Sequence, residues 1–239
     1  MPRFFVNSVD DENIIIDGED ANHIGRSLRM KPGEEITACQ NGFDYLCRIE
    51  EITADKVCCK VLKKEKSPCE PNVSLTLFQA VPKLDKLETI IQKAVELGVS
   101  EIVPVLTRRC VSRPDEKTFS KKLERYNKIA LEAAKQSGRA VIPEVKELTS
   151  LKNAAAFLAD YDIKAVCYEK GGINFSEIGL KPDAKIALFI GSEGGFDEEE
   201  IDFLKECGAV PIWLGNRILR CETAPLAAIS IIMNLTGNM

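Results

Sequence analysis

Two stretches near the C-terminus concentrate residue types that can do chemistry. The first runs Gly191-Ser-Glu-Gly-Gly-Phe196, after the apolar segment Ile186 to Ile190 and before four acids, Asp197 to Glu200. Glycines at 191, 194 and 195 let a backbone approach a ligand closely and adopt positive φ. A phosphate cradle is one use of such a loop. No Gly-Lys-Ser/Thr is present, however, and the Gly-x-Gly-x-x-Gly spacing is missing. The four acids also sit where a phosphate would dock, which disfavours nucleoside phosphates and NAD. Taken alone, a tight strand-to-helix turn explains the stretch equally well.

The second stretch, Leu214-Gly-Asn-Arg-Ile-Leu-Arg-Cys-Glu-Thr-Ala224, sets Arg217, Arg220 and Glu222 among apolar residues. Loops of this kind can read a flat base with backbone groups and hold it with apolar ones. Thr223 suits a helix cap, with Pro225 in the first turn. A structural alternative is an ion pair between Arg220 and Glu222.

The elements that would position these loops change character along the chain. Over residues 1–66, short segments rich in β-formers (Arg3 to Val6, Ile14 to Ile16, Glu35 to Cys39, Tyr45 to Ile49, Lys56 to Leu62) predict a small β-barrel. A short helix capped by Asp20 is expected up to Leu28. Lys63 to Pro71 is polar, with two prolines, and reads as a linker. From residue 73 to 239, strands alternate with helices. Strands are expected at Val73–Ala80, Ile102–Leu106, Lys164–Tyr168, Lys185–Ile190 and Val210–Leu214. Helices are expected at Leu84–Leu97, Phe119–Gln136, Asp197–Cys207 and Thr223–Leu235. This alternation predicts a parallel sheet with helices on both faces, whose ligands sit beyond the C-terminal strand ends. Both chemical stretches fall at such ends.

Composition narrows the classes further. The nine cysteines form no Cys-x-x-Cys pair and the single histidine is His23, so zinc-type spacing is absent and no metal is expected. The cysteines read as reduced, mostly buried small hydrophobes. Neither a signal-peptide pattern nor a membrane-length apolar run is visible, so a soluble, cytoplasmic protein is expected. The net charge of −5 argues against indiscriminate coating of nucleic acid. Residues 71–150 nevertheless carry 14 basic and 10 acidic side chains, the only basic third, and this is where an anionic polymer would touch.

The paired motifs resemble the SPOUT methyltransferases. Lys83-x-x-Lys-x-Glu88, Lys93-Ala-Val-Glu-Leu-Gly98, Gln136-Ser-Gly-Arg139 and His23-x-x-x-x-Leu-Arg-Met-Lys-Pro-Gly33 narrow the likeness to the RsmE family, over nearly the whole chain. The resemblance implies a PUA-like RNA-binding β-barrel over 1–66 and an α/β SPOUT domain with a C-terminal trefoil knot over 73–239. It implies methylation of N3 of a uridine in bacterial 16S rRNA of the small ribosomal subunit, with S-adenosyl-L-methionine (SAM) as cofactor, by a homodimer. Gly191, Glu193, Gly194, Gly195, Leu214, Gly215, Ile218, Leu219, Arg220, Thr223 and Ala224 would surround SAM. Uracil N3 must lose its proton, which calls for a base or for cationic donors at O2 and O4. Arg108, Arg139 and Arg220 are the arginines expected near the base, and Glu193 or Glu222 is the expected proton acceptor. Arg3, His23, Arg26, Arg29 and Lys83 would hold RNA, with a structural role for His23 equally open. Two positions depart from the family pattern. Ser192 stands where proline is usual, which should loosen the loop slightly, and Lys135 stands where an acid is common. The rival readings are an RNA-binding module without catalysis and a nucleotide-dependent α/β enzyme of another class.

Overall fold

The computed structural model describes residues 1–10 and 12–239, which divide into two compact units. The first comprises Met1–Glu70 together with Ala134–Val141. Its strands are β1 (Arg3–Phe5), β2 (Asn13–Asp17), β3 (Glu35–Gln40), β4 (Phe43–Ile52) and β5 (Lys56–Lys66), with helix α1 (Gly18–Asn22) after β2. They form one mixed five-stranded sheet in the order β1-β3-β4-β5-β2, parallel at β1–β3 and antiparallel elsewhere. One face buries Phe4, Ile14, Ile16, Ile36, Ile49 and Val57, the alternating apolar residues of each strand.

Two local expectations change here. The chain expected to be linker at Lys63–Lys66 is strand, paired with Phe43–Leu46. Its backbone ladder does not depend on side-chain polarity, and Lys64 lies over the rings of Phe43 and Tyr45. Asp20 lies inside α1 rather than capping it, and its carboxylate accepts from Lys135 at 3.1 Å. Beyond Asn22 the helix continues through His23–Ser27 in a wider, π-type turn.

The second unit carries β6 (Ser74–Ala80), α2 (Lys86–Glu96), β7 (Glu101–Leu106) and α3 (Glu116–Ser137), except the last turn of α3 from Ala134, which belongs to the first unit. It continues with β8 (Glu144–Val145), β9 (Thr149–Ser150), α4 (Leu151–Ala156) and β10 (Ile163–Cys167). It ends with β11 (Lys185–Ile190), α5 (Glu198–Glu206), β12 (Val210–Ile212) and α6 (Ala224–Leu235). The sheet is parallel throughout, in the order β12-β10-β11-β6-β7-β8, with β9 also on β7. One face packs Phe78, Val103, Val105 and Phe189 against α4 and α5, with the Phe78 and Phe189 rings stacked at 4.4 Å. The alternate residues Leu77, Ile102, Ile186 and Leu188 are equally buried and face the other side. The mixed α/β class with helix-flanked parallel strands is therefore as expected. The pieces missed from sequence, β8, β9 and α4, are too short to develop a period.

Helix ends follow the sequence signals closely. Gly98 (φ 99°) and Gly138 (φ 76°) take the left-handed conformation that stops α2 and α3. Asp197 caps α5 in a reciprocal pairing with Glu200. Thr223 precedes α6 but makes no side-chain cap bond.

Arg139 is 3% exposed and lies in the first unit. It donates to Glu70 at 2.8 Å, and the same carboxylate accepts the backbone N–H groups of Ala140 and Val141. Breaking one partner of a buried pair costs about 3 kcal/mol or more. Glu70→Ala should therefore lower urea-unfolding stability by about that amount while leaving cofactor affinity unchanged. A loss below about 1 kcal/mol would mean that the pair is not structural.

Candidate functional site

A cavity of about 480 Å³ opens at the C-terminal ends of three strands adjacent in the sheet, β12, β10 and β11. The volume falls in the range of small-molecule sites, and the location is where open parallel sheets bind ligands. From the β11 end come Ile190, Gly191, Ser192, Glu193, Gly194 and Gly195. From the β12 end come Trp213, Leu214, Gly215, Asn216, Arg217, Ile218 and Leu219, then Cys221 and Ala224. The β10 end adds Cys167, Tyr168 and Glu169, a third wall absent from the candidate residues. The strand-end rule could have found it, because β10 lies between the strands that carry the other two loops.

The glycine loop is close-packed. A Cβ on Gly191 would lie 2.9 Å from Gly195 Cα, and one on Gly194 would lie 3.0 Å from Arg109 Cβ. Gly195 has φ 67°, and its N–H donates to Ser192 O at 2.9 Å, closing a tight turn. Gln79 Nε2 donates to the Gly191 carbonyl at 3.3 Å. The Ser192 hydroxyl donates to the Arg109 carbonyl at 3.2 Å, a tether that proline could not make. The chain after β7 grips the same loop from outside, since Arg109 also donates to Gly194 O at 3.2 Å.

Lys86 joins the two expected acceptors. Its Nζ lies 3.2 Å from Glu193 Oε1 and 3.1 Å from Glu222 Oε2. Hydrogen bonds that the ammonium donates to Glu222 and then to Glu193 raise its pKa. Burial pushes Glu193 up, but its own N–H, that of Lys83 and Lys86 outweigh it, leaving the carboxyl below its ordinary value. Glu222 is likewise lowered: burial opposes, and the Cys221 thiol, its own N–H and Lys86 prevail. Both carboxylates are thus ionised at neutral pH. Cys221 and Cys167 are pushed up to about 12, Cys167 by burial and Cys221 by burial together with Glu222. Both cavity thiols are thereby held in the protonated form at neutral pH.

The other candidates fall into distinct settings. Of the expected cofactor residues, Arg220 and Thr223 do not line the cavity; the Arg220 carbonyl accepts the N–H groups of Thr223 and Ala224 in the turn entering α6. The Arg220 guanidinium is exposed and makes no hydrogen bond or ion pair among the described residues, so the alternative pairing with Glu222 does not form. Arg108 is tied to Asp197 and Glu199 at the start of α5. Lys83 is exposed and touches the site through its N–H, which donates to Glu193 at 3.0 Å. In the first unit, Arg3 is paired to Asp44 through two bonds, at 2.6 and 3.1 Å. His23, Arg26 and Arg29 are exposed, and His23 sits edge-on to Phe4. Arg139 is occupied by Glu70, as described above.

The cavity's chemistry suits SAM. Its walls are apolar at Ile190, Trp213, Leu214 and Leu219, and its charged lining residues are Glu169, Glu193 and Arg217, an apolar surface with a few polar groups of both signs for a ligand that carries both cationic centres and a carboxylate. Among the described residues, no group of three or more His, Cys, Asp or Glu side chains could hold a metal ion, and no helix is long and apolar enough to cross a membrane.

Comparison with known proteins defines the class first. The family model for an RNA methyltransferase domain matches residues 69–233, and that for an RNA methyltransferase PUA domain matches residues 16–62. The ribosomal RNA small subunit methyltransferase E of Bacillus subtilis (strain 168) is 37% identical, over 97% of this chain and 96% of the relative. The chain belongs to the ribosomal RNA small subunit methyltransferase E family, which bears out the RsmE resemblance. A crystal structure of the enzyme of that name from Neisseria gonorrhoeae, bound to S-adenosyl methionine, superposes with a TM-score of 0.87 at 30% identity, covering 99% and 98% of the two chains. A putative methyltransferase from Legionella pneumophila, in complex with bound SAM, gives 0.83 at 29% identity over 98% and 97%.

Proposed function

We propose that this chain is a SAM-dependent methyltransferase acting on N3 of a uridine in 16S rRNA of the small ribosomal subunit. The observation that carries the reading is the cavity built from three strand ends, in a fold shared with a SAM-bound relative that bears the family's name. The cavity would hold SAM, which supplies an electrophilic methyl group on a sulfonium.

The chain's own residues define what remains. Transfer forms a bond between uracil N3 and the methyl carbon and breaks the carbon–sulfur bond, while the N3 proton goes to a base. Glu193, which lines the cavity, and Glu222, next to the lining residue Cys221, are the acceptors at hand, although their lowered pKa values make them weak bases. Much of the activation therefore falls to cationic donors that stabilise the uracil anion at O2 and O4. Arg217, which lines the cavity, and Arg220, beside it, are both exposed and unpartnered among the described residues, and Arg220, the one that the family resemblance sets near the base, takes that role in this reading. Arg108 and Arg139 are engaged by carboxylates and are weaker candidates.

Residues 1–66 form the RNA-binding domain in this reading, with His23, Arg26 and Arg29 presented to RNA backbone, and residues 73–239 form the knotted catalytic domain. The protein works in the cytoplasm, where ribosomal subunits are. A homodimer is supported by α6, where Ile231 and Leu235 remain exposed although the helix buries Ala228, Ile229 and Ile232. Leu84 and Ile218, 87% and 86% exposed, add apolar surface beside the site.

Tritiated SAM incubated with small subunits lacking the modification should label the 16S rRNA at one uridine. RNA that is bound but unlabelled would favour a non-catalytic binding module. Calorimetric binding of ATP in place of SAM would move the chain to another class.

A further inference from the structure

Lys86 occupies a position that the reaction scheme above leaves without a role. It opens α2, whose inner face is fixed by the buried Leu87, Ile90, Ile91, Ala94 and Val95. From that rigid base its ammonium reaches Glu193, in the loop after β11, and Glu222, in the loop after β12, at 3.2 and 3.1 Å. Each carboxylate is held a second time. Glu193 Oε1 accepts the Lys83 N–H at 3.0 Å, and Glu222 Oε2 accepts the Cys221 thiol at 3.2 Å. Glu193 and Cys221 both line the cavity. The turn that delivers Lys83 and Lys86 to Glu193 runs through Leu84, which has φ 56° and a side chain 87% exposed. A leucine in the left-handed region is strained and here gains no burial in return. Such a conformation persists when its surroundings over-determine it, and the double grip on Glu193 supplies that determination.

We propose that Lys86 is the positioning residue of the site, a single ammonium that locks the two cofactor loops to each other and so sets the width of the SAM pocket. It touches neither reacting atom and acts through Glu193 and Glu222. Without it, two adjacent carboxylates repel, and the loops separate at the face where the cofactor must be clasped. Lysine suits the task because its compact ammonium offers three donors that can serve two loops at once. The two partners' lowered pKa values and the raised pKa of Lys86 agree with a cluster whose charges stabilise one another.

The inference rests on the methyltransferase reading, and calorimetry on the full-length protein separates the two. SAM and its demethylated product are titrated into wild type, Lys86→Met, Lys86→Arg, Glu222→Gln and the Lys86→Met/Glu222→Gln double variant. Lys86→Met should weaken both ligands by about tenfold, because both fill the same pocket. Lys86→Arg should recover most of that loss. The double variant should bind no more weakly than Lys86→Met alone, because the two residues act through one contact. A lysine that merely stabilised the fold would lower the melting temperature and leave both affinities unchanged, and affinities within twofold of wild type would overturn the proposal. Should Lys86→Met fail to fold, Glu222→Gln carries the same criterion from the other side of the pair. Wild-type protein that binds no SAM would sink the methyltransferase reading itself, whereas wild-type binding with unaffected variants sinks only the role of Lys86.

Discussion

Replacing Arg220 with alanine should lower methyl transfer by about 100-fold or more and leave the fold intact. Removing the N3 proton leaves negative charge on the uracil ring, shared by O2 and O4. A cationic donor placed against that charge acts mainly in the transition state, and loss of one such donor typically costs about 10²–10³ in kcat. The other arginines expected near the base are neutralised within the chain, Arg108 by Asp197 and Glu199 and Arg139 by Glu70. Arg220 has no such partner among the described residues and stands between Leu219 and Cys221, both of which line the cavity. Its exposure means that truncation removes little packing, so thermal unfolding should barely change. Single-turnover transfer from tritiated SAM to small subunits, with a melting curve alongside, measures both quantities. Near-normal turnover would remove Arg220 from the site.

Gly191→Ala tests the pocket rather than the substrate side. The added Cβ would fall 2.9 Å from Gly195 Cα and 3.0 Å from its carbonyl carbon. Both obstacles are backbone atoms, so no rotamer change relieves the clash. The turn is held from within by the Gly195–Ser192 hydrogen bond and from outside by Gln79, Arg109 and Lys83. It must therefore open or shift as a unit, at an overpacking cost of about 1–3 kcal/mol. SAM affinity measured by calorimetry should fall by more than about tenfold. Gly215→Ala is the informative contrast, because a Cβ there meets nothing within 4 Å and only the left-handed φ of 105° is strained. It should be the milder of the two. Unchanged SAM affinity in Gly191→Ala would mean that this loop does not bound the cofactor.

Much of the architecture could be read from local pattern. The apolar period of α2, the glycines at 98 and 138, and the Asp197–Glu200 capping pair all act within a few residues, and these elements form where the pattern puts them. Local pattern failed where partners lie far along the chain. Lys63–Lys66 became strand because the backbone of Phe43–Leu46 was available to pair with it, which no charge run announces. The β10 wall of the cavity escaped notice because Tyr168 and Glu169 carry no motif and matter only through the order β12-β10-β11.

By itself, the sequence determined the alternation of strands and helices, the glycine loops at strand ends and, through its paired motifs, the family. These features depend on residue type and short spacing. Only the tertiary structure decided which charges remain available. Arg139 and Arg220 are indistinguishable as letters, yet one is buried against Glu70 and the other is unpartnered beside the cavity. Lys86, a motif lysine at a helix start to which the sequence assigned no role, bridges two carboxylates at positions 193 and 222. Electrostatic roles fall off over a few ångströms, and separation along the chain carries no information about distances that short.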